Sequence, residues 1–123
     1  MRKTKKSFLV IGASSRQTRY ANLAIKRLTE SGQQIIAIGR SGGEICGIQI
    51  QNTFPDNIRP DIVLMYLSKA NQKQYENILI ELKPEKIIFN PGAENREFAE
   101  KLKNNGTQVV ESCALVMMSI NKL

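Results

Sequence analysis

The chain has 123 residues, enough for one domain built around a single hydrophobic core. Its composition, 41% hydrophobic and 24% charged, is that of a globular protein, and the absence of histidine excludes a histidine nucleophile, proton shuttle or zinc site. The net charge of +7 resides in residues 1–60, which hold ten basic and three acidic residues, so this half of the chain favours an anionic ligand.

The first six residues form a basic N-terminal tail ahead of a single domain over residues 7–123, and they hold four cations: Arg2, Lys3, Lys5 and Lys6. A frayed, solvated terminus is the ordinary explanation of such a cluster. The apolar stretch after the tail ends at Gly12, so it is too short for a signal-peptide core or a transmembrane helix. We therefore expect a cytoplasmic protein that does not associate with membranes.

Short apolar runs alternate with helical patterns along the chain. The runs are continuous, so they predict strands covered on both faces of a parallel sheet: Ser7–Gly12, Ile35–Gly39, Asp61–Leu67, Lys86–Phe89 and Gln108–Val110. Helical spacing between the runs predicts three helices, whose apolar stripes are Ala21–Leu28, Tyr75–Leu82 and Phe98–Leu102.

The predicted helices have recognisable ends. Residues that stop helices lie at Gly32, Pro84 and Gly106. Ser68 and Asn95 are the expected N-caps of the second and third helices. Ser112–Ile120 predicts a last short helix capped by Ser112, although an uninterrupted apolar run of this length is also compatible with a strand.

Alternation of strands and helices with short connections predicts a three-layer α/β fold, a Rossmann-like doubly wound parallel sheet. The segment Gly42–Pro60 breaks the alternation, because turn signals flank a short edge strand at Ile48–Ile50. An irregular edge in the third strand position favours the order 3-2-1-4-5 over the flavodoxin-like order 2-1-3-4-5. Gln108–Val110 would add a sixth strand.

Ligands of such sheets bind beyond the carboxyl ends of the strands, so the residues that leave each strand are the candidate site. The first loop, Gly12–Arg19, contains six candidates: Gly12, Ala13, Ser14, Ser15, Arg16 and Arg19. Its small residues allow a phosphate to approach backbone N–H groups and a helix N-terminus, while its arginines supply bidentate partners. The loop matches neither GxGxxG nor the P-loop, so an ordinary turn remains the alternative.

The second strand ends at Gly39, Arg40 and Ser41. An NAD-binding fold favours an acidic residue at this position, where it binds the ribose hydroxyls. Arg40 has the opposite charge and suits a phosphate on the ribose, as in NADP or in the 3′-phosphate of coenzyme A. A solvated surface arginine is the alternative.

The later strand exits carry weaker signals. Pro91 and Gly92 mark a turn after the fourth long run, and Glu94 and Asn95 either border a ligand or cap the next helix. Cys113 follows Ser112 near a helix start, where a thiol is often reactive, but a buried structural cysteine is the commoner case. Cys113 and Cys46 form no CxxC pair, which excludes a disulfide framework and fits a reducing cytoplasm.

Six segments, in order and spacing, carry a resemblance to a known family: Val10–Ser14, Arg19–Asn22, Ile36–Gly39, Gly43–Gly47, Ile88–Asn95 and Val110–Cys113. Together they resemble the small, stand-alone coenzyme A-binding domain proteins. These are single Rossmann-like domains related to the coenzyme A-binding half of the succinyl-CoA synthetase alpha subunit.

The resemblance implies that coenzyme A or an acyl-CoA lies across the strand ends. It places the pyrophosphate at Gly12–Ser15 near Arg16 and Arg19, and the adenosine end at Gly39–Ser41. Ser68 and the loop Pro91–Asn95 would border the adenine and pantetheine path. Cys113 stands where the family often has a cysteine.

The chain also departs from the family. Many members carry Val-Asn-Pro after the second strand, whereas this chain has Ile38-Gly39-Arg40. The phosphohistidine of the synthetase is impossible in a chain without histidine, so a complete acyl-CoA synthetase activity is not implied.

These observations favour a binding module over an enzyme, with coenzyme A as its ligand and no metal site. The first alternative is an NADP-dependent oxidoreductase-like protein, against which stand the missing GxGxxG pattern and the lack of chain for a substrate domain. Nucleic-acid binding through the basic half is the second, and it is disfavoured because aromatic residues are sparse there. Homo-oligomers and protein partners stay open.

Overall fold

The computed structural model describes residues 5–123, in which strands alternate with helices. Its strands are β1 (Ser7–Ile11), β2 (Gln34–Ile38), β3 (Glu44–Ile45), β4 (Ile48–Gln51), β5 (Ile62–Met65), β6 (Lys86–Phe89) and β7 (Gln108–Glu111). Its helices are α1 (Tyr20–Glu30), α2 (Lys73–Leu82), α3 (Arg96–Asn104) and α4 (Ala114–Ser119), with a 3₁₀ turn at Lys69–Asn71. No helix in this range is both long and apolar enough to cross a membrane.

The seven strands form one sheet in the order β3-β4-β2-β1-β5-β6-β7. All neighbours are parallel except β3 and β4, which form an antiparallel hairpin at the edge. Without β3, the order of the parallel strands is the predicted Rossmann-like 3-2-1-4-5, extended by β7 as the sixth strand. The chain winds outward in one direction from β1 and in the other from β5, so the strand order reverses between these two strands.

Helices cover both faces of the sheet, which explains why the predicted strands are continuous apolar runs. On one face, α1 and α4 pack on residues such as Val10 and Leu64. On the other face, α2 and α3 pack on residues such as Leu9 and Val63, and the rings of Phe89 and Phe98 meet edge to face at 5.9 Å. The three-layer prediction is therefore confirmed.

Two of the expected helix caps differ in the structure. Ser68 begins the 3₁₀ turn instead of α2, which starts after Gln72. The cap of α4 is Cys113, because the N–H of Ser112 still donates to Phe89 O at 3.2 Å and so extends the sheet. The prediction for Asn95 is confirmed, since its Oδ1 accepts the Phe98 N–H at 3.3 Å.

The hairpin of β3 and β4 was not predicted as a pair of strands, because β3 has only two residues. Its turn residues were recognised as turn signals. Cys46 and Gly47 both have positive φ, 50° and 82°, as a tight hairpin turn requires. Cys46 is exposed in this turn, and both cysteines are free thiols.

The predicted basic tail is only partly described, because Arg2 and Lys3 lie outside residues 5–123. Lys6 is bound to the fold: its N–H donates to Gln33 Oε1 at 2.7 Å and its carbonyl accepts from Gln34 at 3.1 Å. Its Nζ lies 3.3 Å from Glu85. Lys6 is therefore anchored to the fold directly before β1.

Candidate functional site

The carboxyl ends of β2, β1, β5 and β6 lie side by side at one edge of the sheet. Helices α1 and α4 pack on the same face and begin at this edge, each after a strand that ends there. We call the region between the first loop, the start of α1 and the start of α4 the strand-end crevice. It lies where the strand order reverses, which is the usual ligand position in open α/β sheets.

Gly12 has a structural reason to be glycine. Its φ is +95°, and an added Cβ would lie 3.1 Å from Tyr66 Cβ and 3.2 Å from Leu67 N. The N–H groups of Gly12 and Ala13 both donate to Ile38 O, at 2.9 and 2.8 Å. The turn therefore joins the ends of β1, β2 and β5, and its first two N–H groups are not available to a ligand.

Donors that are available lie further along the first loop. Within residues 5–123, the backbone N–H groups of Ser14 and Ser15 have no acceptor, and neither do those of Tyr20 and Ala21 at the start of α1. The first turn of α1 contains no acidic residue. Unpaired N–H groups and the positive end of an eleven-residue helix together attract an anion.

Arg16, Arg19 and Arg40 supply positive charge around these donors. All three side chains are exposed, and none forms an ion pair within the described part of the chain. Arg19 is the residue that precedes α1. Exposed guanidinium groups on the first loop, which carries unpaired N–H groups, and on the loop after β2 make this edge of the sheet suited to phosphate.

The loop after β2 packs directly on the first loop. A Cβ on Gly39 would collide with the carbonyl oxygen of Ala13, and a Cβ on Gly43 would lie 3.2 Å from Ser15 Cβ. Gly39 therefore allows two backbones to touch. The structure thus brings the loops of the first two strand exits into contact, and Arg40 and Ser41 are exposed on the second of these loops.

Asn22 holds the first loop on α1 and was not among the predicted site residues. Its Nδ2 donates to Ser14 O at 2.9 Å, and the residue is only 2% exposed. Its Oδ1 has no hydrogen-bond partner within the described residues. The sequence signal was a polar residue between the apolar positions Ala21 and Ala24.

A buried amide network holds the exits of β5 and β6. Gln72 is fully buried; its Nε2 donates to Leu67 O at 2.8 Å and to Ala93 O at 2.7 Å, and its Oε1 accepts from Asn95 Nδ2 at 2.9 Å. Asn95 is 3% exposed, and its Oδ1 caps α3. Both ends of the Asn95 amide are therefore engaged, and its side chain supports the crevice without facing it.

The remaining predicted residues near these exits lie at the surface. Ser68, Pro91, Gly92 and Glu94 are exposed. The Ser68 hydroxyl accepts from Asn71 Nδ2 at 3.1 Å, and Glu94 Oε1 accepts from the Gly92 N–H at 3.0 Å. These residues therefore lie at the exposed rim of this edge of the sheet.

Asn90 connects three elements and was also missing from the predicted site. Its Nδ2 donates to Met65 O at 3.1 Å, at the end of β5. Its Oδ1 accepts the N–H of Ala114, the first residue of α4, at 2.8 Å. The residue after β6 therefore fixes the start of α4, and with it Cys113, against the end of β5.

Tyr66 and Cys113 lie on the side of the crevice away from β2, because they follow β5 and β7. Tyr66 leaves β5 beside Gly12, and its hydroxyl is buried without a hydrogen-bond partner in the described residues. Burial, and to a lesser extent the neighbouring Cys113, raise the pKa of Tyr66 above its ordinary value. Cys113 is half-buried at the start of α4.

A separate groove of about 730 Å³ lies at the opposite, amino end of the sheet. Its lining includes Lys6, Phe8, Arg27, Leu28, Met118 and Leu123. None of the predicted site residues lines it, and the unpaired N–H groups of the first loop and of the start of α1 lie at the other end of the sheet. The strand-end crevice is therefore the candidate site.

The sheet order and the crevice at its reversal define a Rossmann-like α/β domain. The chain belongs to the CoA binding domain family, whose sequence profile matches residues 6–119. The resemblance inferred from the sequence segments is therefore confirmed. No curated protein shows detectable similarity to the chain.

Solved structures share this fold over nearly the whole chain. One, of an uncharacterized protein, is 40% identical with a TM-score of 0.93 and covers 98% of this chain and 100% of its own. The structure of cell-free ID.343 from Thermus thermophilus is 22% identical, with a TM-score of 0.85 and coverages of 94% and 90%. A hypothetical protein from Pyrococcus horikoshii OT3 is 21% identical, with a TM-score of 0.84 and coverages of 94% and 83%.

Proposed function

We propose that this protein is a small cytoplasmic module that binds coenzyme A, or an acyl-CoA, in the strand-end crevice. The observation that carries the proposal is the combination of unpaired N–H groups in the first loop with three arginines that form no ion pair in residues 5–123. Coenzyme A has a pyrophosphate and a 3′-phosphate, so it matches a site with several separate anion donors. The family membership supports the same ligand.

The positions of the charged and polar groups suggest the course of the ligand. Arg40, at the exit of β2, would bind the 3′-phosphate, and Ser14, Ser15 and Arg19 the pyrophosphate. The arm would then pass Tyr66 and end near Cys113. Four strand intervals separate β2 from β7, the strand that precedes Cys113, and at ~4.8 Å each they span about 19 Å, a distance suited to an extended ligand.

The crevice supports binding better than catalysis. Cys113 is the one nucleophilic thiol at this edge, and among the described residues no base forms a hydrogen bond with it. Nucleophilic catalysis needs a base within hydrogen-bond reach or another means of activation. The side-chain amides of Asn90 and Asn95 are each engaged at both ends by other parts of the chain, so they hold the crevice in shape.

Calorimetric titration with coenzyme A, dephospho-coenzyme A and NADPH tests the proposal. We expect coenzyme A to bind and the other two to bind more weakly. Arg40→Ala should bind coenzyme A about tenfold more weakly and should no longer distinguish it from dephospho-coenzyme A, because one charge-assisted contact is worth ~1.5 kcal/mol at an exposed site.

Arg27→Ala is the matched control, because Arg27 is also exposed but lies in the last turn of α1, away from the crevice. This variant should bind all three ligands as the native protein does. Tighter binding of NADPH than of coenzyme A would support the oxidoreductase-like alternative instead. Equal affinity of the native protein for coenzyme A and dephospho-coenzyme A would make Arg40 a solvated surface residue.

A further inference from the structure

Two residues that contact the first loop each have a buried polar atom with no hydrogen-bond partner within residues 5–123. These atoms are Oδ1 of Asn22 and the hydroxyl of Tyr66, and both are shielded from solvent. The Asn22 amide nitrogen donates a hydrogen bond to Ser14 O, and the Cβ and backbone of Tyr66 lie against Gly12, so both residues contact the first loop. Buried polar groups in proteins are nearly always paired, so unpaired atoms on two residues that contact the first loop point to hydrogen-bond partners that the described chain does not supply.

The chemistry of the two atoms is complementary. The carbonyl oxygen of Ser14 only accepts hydrogen bonds, so the amide nitrogen of Asn22 must face it, and Oδ1 remains as an acceptor. The Tyr66 hydroxyl is protonated at neutral pH, since the pKa of an ordinary tyrosine is about 10 and burial raises that of Tyr66 further. It is therefore available as a donor. One acceptor and one donor match the N–H and C=O of a secondary amide.

The position of Tyr66 identifies the part of the ligand concerned. Tyr66 follows β5, whereas Arg40 follows β2 on the other side of β1. A ligand with its phosphates on the first loop and its 3′-phosphate at Arg40 directs its other end towards Tyr66 and Cys113. In coenzyme A that end is the pantetheine arm, which contains two secondary amides and a thiol.

We propose that Tyr66 and Asn22 form an amide subsite for the pantetheine arm of coenzyme A. The Tyr66 hydroxyl donates to an amide carbonyl of the arm, and Asn22 Oδ1 accepts an amide N–H. Because both atoms are shielded from solvent, binding of the arm at this subsite requires that the side chains covering them be displaced. This inference rests on the proposed function, since it assumes that coenzyme A is the ligand.

The variant Tyr66→Phe tests the subsite, because it removes only the unpaired oxygen. We expect its affinity for coenzyme A to fall about 3- to 10-fold, the usual effect of one neutral hydrogen bond. Its affinity for 3′-phosphoadenosine 5′-diphosphate, which lacks the arm, should not change. Its thermal unfolding midpoint should not fall, since no hydrogen bond within the protein is lost.

Tyr75→Phe is the matched control, because Tyr75 packs with Phe54 on the opposite face of the sheet. It should leave both affinities unchanged. Asn22→Leu also removes the hydrogen bond to Ser14 O, so the affinities for both ligands should fall. The affinity for coenzyme A should fall by the larger factor. A decrease of equal size for both ligands would remove Asn22 from the subsite.

Three outcomes separate the inference from the proposed function. Unchanged coenzyme A affinity in Tyr66→Phe would overturn the subsite while leaving the function intact. Equal weakening of both ligands in that variant would also overturn it, because the hydroxyl would then act on the nucleotide half. A native protein that binds neither ligand would refute the proposed function, and the subsite with it.

Discussion

At the scale of single residues, two glycines are required by backbone contacts at the crevice. Gly12 lies against Tyr66 and has a φ of +95°, and Gly39 lies against the carbonyl of Ala13. A phosphate-binding role predicts that a side chain at Gly12 would collide with the ligand. In the structure, such a side chain would instead meet Tyr66 and Leu67, which follow β5. A substitution at Gly12 should therefore reduce stability before it reduces ligand affinity.

Gly12→Ala should therefore destabilise the protein more than Gly92→Ala does. Both glycines have the same unfavourable φ, +95° and +93°, but only Gly12 has neighbours within 4 Å of an added Cβ. The φ alone costs ~1–3 kcal/mol in each variant, and the contact with Tyr66 should add about 1 kcal/mol at Gly12. Urea unfolding measures both free energies of unfolding. Equal losses would show that the contact with Tyr66 relaxes freely.

Cys113 should form a reversible mixed disulfide with coenzyme A, because the proposed path of the arm ends there. Coenzyme A disulfide supplies the oxidant: the Cys113 thiolate attacks one sulfur, a new S–S bond forms, and one coenzyme A leaves as its thiolate. Peptide mass spectrometry should find an adduct at Cys113 that reductant removes.

Cys46 provides an internal comparison for this reaction. It is exposed and distant in sequence, so glutathione disulfide and coenzyme A disulfide should modify it to a similar extent. Cys113 should prefer coenzyme A disulfide, since only that reagent binds beside it. Labelling of Cys46 alone would show that Cys113 is a packing residue.

At the scale of elements, the short helix α4 depends on a side chain from another strand. It has six residues, and its N-cap residue Cys113 makes no side-chain capping hydrogen bond within residues 5–123. Asn90 accepts the N–H of Ala114 and so supplies the missing cap from the end of β6. The crevice wall on this side is therefore built by a long-range contact.

Asn90→Leu should lower the free energy of unfolding by ~1–3 kcal/mol, because the buried N–H of Ala114 loses its acceptor. The carbonyl of Met65 keeps a partner, since the backbone N–H of Asn90 also donates to it at 3.1 Å. Asn77→Ala, at an exposed position of α2, should change stability by less than about 0.5 kcal/mol. Thermal and urea unfolding compare the two variants. A neutral Asn90→Leu would show that α4 needs no external cap.

At the scale of the whole molecule, the uneven charge should control ligand affinity. The net charge is +7, and the cations Arg16, Arg19 and Arg40 surround the crevice without ion-pair partners in residues 5–123. Their attraction for a ligand with several phosphates acts through solvent, where salt screens it.

Coenzyme A affinity should therefore fall several-fold between ~50 mM and ~500 mM salt, as the screening length decreases from roughly 14 Å to 4 Å. Pantetheine is the control ligand, because it is uncharged and should bind with little dependence on salt. Calorimetric titration at both salt concentrations measures how strongly the affinity for each of the two ligands depends on salt. A coenzyme A affinity independent of salt would indicate that the arginines do not contact its phosphates.

The sequence by itself determined the order of the elements and the class of the sheet. Continuous apolar runs and helical stripes depend on local periodicity, which is visible along the chain, and the turn residues Gly12 and Gly39 marked the strand exits. The tertiary structure alone decided which polar residues build the crevice. Asn22 and Asn90 form hydrogen bonds with partners 8 to 25 residues away in the sequence. The relevant property of Tyr66 is that its hydroxyl is buried without a partner among the described residues. No local pattern encodes such contacts, because they arise only when parallel strands bring distant chain segments to the same edge.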